Sequence, residues 1–184
     1  MMRGLDWLAA RFPVAGMKRN PAPIRARDFV SLALLFAPPV LFAVALLMAG
    51  CLDPRFGWLW RGQLPWQLYI MALSGALATL GGMGDWLYHR VYVAVGPKEH
   101  DSHVAALAWG GLLFLWMCGC SISHSRPSWV VPIVVTLMVT LVLICHDEFS
   151  FHSRRCKPCE NLMHHTLTFG NGLAFLCWLH WLYA

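Results

Sequence analysis

Apolar residues run almost without a break through five stretches of this chain, about 29–50, 66–90, 102–122, 128–149 and 161–183, and polar residues gather between them. Each stretch reaches the roughly 20 residues that a helix needs to cross a bilayer. The pattern predicts an all-α integral membrane protein of about five transmembrane helices. These fill 29–184 as a single transmembrane domain behind a basic cytosolic segment at 1–28. In the second stretch Ser74, Gly75, Ala76, Ala78, Gly81, Gly82 and Gly84 put small side chains along much of the length. Small residues let membrane helices approach closely, so this helix is expected at the centre of a four-helix bundle made by helices 2–5.

Composition places the chain in lipid. Its 184 residues are 58% hydrophobic and 12% charged, with a mean hydropathy of +0.55, far from the balance of a soluble domain. Charge then orients it. With a cytosolic N-terminus and five spans, all of the 14 Lys and Arg except Arg55, Arg61 and Arg126 fall inside, as the positive-inside bias requires. The C-terminus is then outside, and Trp58, Trp60, Trp66, Trp129, Trp178 and Trp181 gather near the outer interface. The expected location is a bacterial inner membrane.

Residues 47–51, Leu-Met-Ala-Gly-Cys, resemble a lipoprotein cleavage box behind a basic region. The region before the apolar run is too long for a signal peptide, so the run reads as a retained first span, kinked at Pro38 and Pro39. Residues 54–65 read as a short interfacial segment.

The chemistry lies at the inner helix ends. Four times an acid stands four positions ahead of a histidine: Asp85 and His89, Glu99 and His103, Glu148 and His152, Glu160 and His164. Residues i and i+4 share one helix face, so each pair can present an oxygen and a nitrogen to one point. Helix two ends in Asp85 and His89, and helix three opens with Glu99, His100, Asp101 and His103. Helix four ends in His146, Asp147, Glu148 and His152, and helix five opens with Glu160, His164 and His165. The two halves are either a diverged repeat or two similar hairpins, and in both cases four helix ends meet at one membrane level.

Ionisable groups at membrane depth are costly and are usually paired, interior or functional. Acids at helix starts and hydrated interfacial histidines would account for single residues. They do not account for seven of the nine histidines at one end of the chain's helices. The set Asp85, His89, Glu99, His100, His103, His146, Asp147, Glu148, His152, Glu160, His164 and His165 is therefore read as a metal site, with His89, His103, His146 and His164 as leading ligands. Imidazole and carboxylate suit iron, zinc, manganese or copper, and the number of donors leaves room for two ions. Paired Glu/His helices hold two irons in bundle proteins. Haem is disfavoured, because axial histidines face each other inside a span rather than at its end.

With His100-x2-His103, the histidine-bearing helix end at His146 and His152, and the His164-His165 doublet, residues 85–165 resemble the histidine-box non-haem diiron family of fatty-acid desaturases, hydroxylases and alkane monooxygenases. Glu160 falls where a further box histidine would stand, so the resemblance requires carboxylates among the ligands. It implies two irons at cytosolic helix ends and oxidation of a hydrophobic, lipid-like substrate by dioxygen. Electrons would come from a separate donor protein, because the chain has neither a glycine-rich nucleotide loop nor an iron–sulfur cysteine set. Membrane lipids are the surrounding partners, and no nucleic-acid partner is expected. The alternatives are metal transport or handling, and zinc-dependent hydrolysis of lipid esters or amides. Cys156-Lys157-Pro158-Cys159 lacks a second CxxC and the strand–helix setting of a redox dithiol, and reads as a tight turn.

Overall fold

The computed structural model describes residues 28–93, 95–152 and 158–183. The segment before Asp28, and Cys156 of the dithiol turn, lie outside the described residues. The described chain is helical, with no strand. Its long helices are α1 (Asp28–Leu52), α2 (Trp66–Val91), α3 (Pro97–Ile122), α4 (Val130–Asp147) and α5 (Pro158–Tyr183). Short 3-10 helices at Pro54–Leu59 and Arg126–Trp129 precede α2 and α4, and one π turn, Glu148–His152, extends α4.

Three stretches, Phe29–Leu52, Pro97–Ile122 and Arg126–His152, are long and apolar enough to cross a bilayer. Their outward faces agree with that environment. Val40, Val44 and Leu47 on α1, and Val131, Val135, Met138 and Val142 on α4, are exposed at helical spacing. An apolar belt of this size on a protein in water would mark an unfilled interface. Helix α1 runs through Pro38 and Pro39 without losing its helical assignment, and Pro38 packs over Gly111 of α3, where an added Cβ would lie 3.0 Å from its Cγ.

Two helical layers result. Helices α2 and α5 lie against each other along most of their length, and α3 is flanked by α1 and α4. Glycine sets the first contact. A Cβ on Gly170 would stand 2.8 Å from the Ser74 carbonyl, and one on Gly81 would stand 2.9 Å from the Met163 carbonyl, so the backbones of α2 and α5 touch where side chains are missing. The small-residue face of α2 is therefore the seat of α5.

The layers join at the end remote from the predicted cluster. Met71 of α2, Leu113 and Met117 of α3, Ile133 of α4 and Trp178 of α5 share one buried core. Trp178 Nε1 donates to Ser121 Oγ at 2.9 Å, and Arg126 Nη1 donates to the Leu182 carbonyl at 2.7 Å. On the neighbouring loop, Arg55 Nη2 donates to Asp53 Oδ2 at 2.6 Å and to the Ile122 carbonyl at 3.0 Å. Those bonds from Arg55 hold the Asp53 carboxyl below its ordinary range.

Candidate metal centre

Between the layers, at the opposite end, four histidine rings meet. His152 and His164 have ring centroids 4.3 Å apart, His103 and His152 5.2 Å, and His89 and His103 5.7 Å. These are the four histidines that stand four positions after an acid, one from each helix end: α2, α3, the π turn and α5. His89, His152, Glu99 and Glu160 are buried, the last at 1% exposure. Neither Glu99 nor Glu160 is therefore a hydrated helix-end acid.

The acids interleave with the rings. Asp85 Oδ1 is 2.9 Å from His164 Nε2 and 3.3 Å from His89 Nε2, and Glu160 Oε1 is 3.4 Å from the same His89 nitrogen. Asp147 Oδ2 is 3.0 Å from His103 Nε2 and 3.5 Å from His152 Nδ1. Glu99 Oε1 lies 3.7 Å from His152 Nε2, and Glu148 Oε2 3.5 Å from His164 Nδ1.

Helix α4 brings in its residues differently from the predicted i,i+4 pair. The π turn bonds i to i+5, so Asp147 rather than Glu148 stands over His152. His152 Nδ1 lies 3.2 Å from the Asp147 carbonyl oxygen, which assigns the ring proton to Nδ1 and leaves Nε2 as the free lone pair. Glu148 is released to reach across to α5 at His164. His146, a leading ligand in the sequence reading, stays outside the cluster. Six residues from His152, it points away, is exposed, and meets Phe151 rather than the cluster. His165 is likewise exposed, against Phe169. The structure thus brings together Asp85, His89, Glu99, His103, Asp147, Glu148, His152, Glu160 and His164 but not His146 or His165, while His100 lies beside the cluster in the wall of a cavity.

A metal fits this donor set better than a hydrogen-bond network does. His89 Nδ1 and Nε2, His103 Nε2, His152 Nε2 and Glu160 Oε1 are buried and have no hydrogen-bond partner, although for all but His89 Nδ1 an oxygen or nitrogen stands 3.0–3.7 Å away. The distances are short but the directions are wrong for N–H···O bonds. Two ligands held about 2.1 Å from one ion at a tetrahedral angle are themselves about 3.4 Å apart, close to the separation of His89 and Glu160. Two groups have donor atoms all within 4.8 Å of one another: His89, His152, Glu160 and His164, and Glu99, His103 and His152. His164 is hydrogen-bonded at both nitrogens, so an ion at one leaves the other held by an acid, which is how a histidine ligand is commonly fixed.

No family model, curated protein or solved structure matches this chain. Its chemistry has to be read from its own residues.

The cluster opens into a cavity of about 900 Å³ between the layers. Asp85, His103, Asp147 and His164 form its polar end, and away from them the wall is apolar, with Leu34, Phe42, Met71 and Met117 among its residues. Two features of this wall escape the sequence reading. Helix α1, read as a retained first span beside a bundle of helices 2–5, contributes Leu34, Pro38 and Phe42, and Asn171 of α5 places an amide in the wall. A lone Asn inside an apolar span is the signal that could have found the second.

Proposed function

We propose that this chain is a membrane-embedded metal-dependent oxidoreductase that uses dioxygen to hydroxylate or desaturate a hydrophobic, lipid-like substrate. The observation that carries this reading is the buried set of unpartnered imidazole and carboxylate donors at the mouth of a largely apolar cavity. The donors are nitrogen and oxygen with no thiolate among them, which suits iron, with zinc, manganese and copper as the other fits. A pair of reduced irons, when bound, would supply electrons and a binding site for dioxygen, with further electrons from a separate donor protein.

The chain's own part is to orient and exclude. Asp85 holds His164 Nε2 at 2.9 Å and the Asp147 carbonyl holds His152 Nδ1 at 3.2 Å, while the apolar wall keeps water from the reacting end of a substrate. In this reading all five helices cross the bilayer, helices 2–5 form the bundle, and the cluster lies on the cytosolic side. Support comes from the length of α2 and α5, 26 residues each, and from their exposed apolar faces, Leu73, Leu77 and Leu80 on α2 and Phe169, Leu173 and Leu176 on α5. Transport is less well supported, because the cavity wall beyond the cluster end carries no charged residue among those described.

The test compares lipids of cells carrying the intact protein with those carrying His164→Ala, in air and without oxygen. A product formed only by the intact protein and only in air is the expected result. Equal product without oxygen would move the assignment to hydrolysis by metal-bound water. Metal accumulation with no product would move it to metal handling.

A further inference from the structure

The cluster divides along the boundary between the layers. Among the described residues, the acids in contact with His89 are Asp85 of α2 and Glu160 of α5, and Asp85 also contacts His164 of α5. Among the described residues, the acids in contact with His103 or His152 are Asp147 of α4 and Glu99 of α3. The two sets share one plan. A descending helix gives an aspartate and a histidine, Asp85 with His89 or Asp147 with His152. An ascending helix gives a glutamate and, four residues later, a histidine, Glu160 with His164 or Glu99 with His103. In each set the aspartate touches both histidines.

His152 decides how two ions can be held. It belongs geometrically to both donor groups, but its Nδ1 faces the Asp147 carbonyl, so only Nε2 is available and it can serve one ion. That nitrogen is buried, without a hydrogen-bond partner, and 3.7 Å from Glu99 Oε1. Giving His152 to the Glu99 group leaves three donors on each side. Each side then has two imidazoles and one glutamate, and each keeps a fully buried atom with no other partner: Glu160 Oε1 on one side and His152 Nε2 on the other.

We infer that the centre is two half-sites, with His89, Glu160 and His164 holding one ion on the α2–α5 layer and Glu99, His103 and His152 holding a second on the α3–α4 layer. The inference rests on the two-metal reading above and assigns its ligands. Each half-site draws its three ligands from one pair of packed helices, α2 with α5 through Gly81 and Gly170, and α3 with α4 and its π turn, while Glu148 of the second pair reaches across to His164 of the first. The cavity runs between the layers, so its polar end lies between the two ions. Glu148 breaks the symmetry: it comes from the α4 side, is 39% exposed, and among the described residues its carboxylate meets His164 of the α2–α5 half-site.

The test is metal stoichiometry in the full-length protein, purified in detergent, stripped with chelator and titrated with Co²⁺. Bound metal is read by elemental analysis and by the cobalt absorption bands, and helix content by circular dichroism. Two equivalents are expected for the intact protein. One is expected for Glu160→Gln and for His89→Gln, one for Glu99→Gln and for His103→Gln, and none for Glu160→Gln combined with Glu99→Gln. Gln is isosteric with Glu and close in size to His, and two variants per half-site keep a result in hand if one fails to fold. If folded single variants fall from two equivalents to none, the partition is overturned and the two-metal reading stands. If the intact protein binds none, both fall. Two equivalents divided as expected, with no oxygen-dependent product in cells, would leave the partition standing and remove the oxidase reading.

Discussion

At the scale of single residues, burial separates the clustered histidines from those outside the cluster among side chains that look alike in sequence. His146 and His152 stand six positions apart in the same polar helix end, yet one is exposed and the other 1% exposed with an orphaned Nε2. His146→Ala should therefore leave metal content unchanged, whereas His152→Ala should remove one equivalent, both read by elemental analysis. Loss of metal in the His146 variant would show that the helix end turns differently from the described π turn. Asp147 stands one step back from His152, its carbonyl 3.2 Å and its carboxylate 3.5 Å from Nδ1, the ring nitrogen away from the free Nε2, and its carboxylate also lies 3.0 Å from His103 Nε2. Neutralising such a carboxylate while keeping its shape typically weakens metal binding by about 10- to 100-fold. Asp147→Asn should show that loss in a cobalt titration, with stoichiometry at saturation unchanged. A lost equivalent would make Asp147 itself a ligand.

At the scale of helices, much was legible in the sequence and the reason is periodicity. The i,i+4 spacing picked out His89, His103, His152 and His164, and the stripe of small residues on α2 marked a close helix neighbour. What periodicity could not give was the departure from it. A single i to i+5 turn exchanges Asp147 for Glu148 beside His152, and nothing in the residue types of Glu148-Phe-Ser-Phe-His152 announces it. The identity of α5 as the partner of α2 was also hidden, because a small-residue face states that something packs closely but not what. That contact yields its own prediction. A Cβ on Gly170 would meet the Ser74 carbonyl at 2.8 Å and the Ala78 Cβ at 2.9 Å, so Gly170→Val must push α5 off α2. Overpacking of this kind costs about 1–3 kcal/mol. A lowered unfolding midpoint in detergent, with Gly75→Ala as control, would check it. Gly75 has no atom within 4 Å of an added Cβ, so the control should be neutral, and equal midpoints for the two variants would count against the described α2–α5 contact.

At the scale of the whole molecule, the two layers, the metal end and the cavity make one arrangement. If all five helices cross, the odd number puts the two termini on opposite sides, and reporter tags at the termini should show it. Both tags on one side would mean that a helix counted as a span lies on the membrane or is removed. The cavity gives the sharper test of substrate. Gly75 lies in its wall, with open space where a side chain would start, and stands 14 residues before His89 on α2. At 1.5 Å per residue that is about 21 Å from the metal end. Gly75→Phe should therefore fill the far part of the cavity without touching the ligands or forcing helices apart. Metal content and the unfolding midpoint should stay at the intact protein's values. Turnover should fall with substrate length, by about tenfold or more for chains that reach past the blocked point and little for shorter ones, since each methylene refused a buried site forfeits about 0.8 kcal/mol. A uniform loss at every length would point to a disturbed metal end. No loss at any length would mean that the substrate does not lie between the layers, and the apolar cavity would then have no part in the reaction.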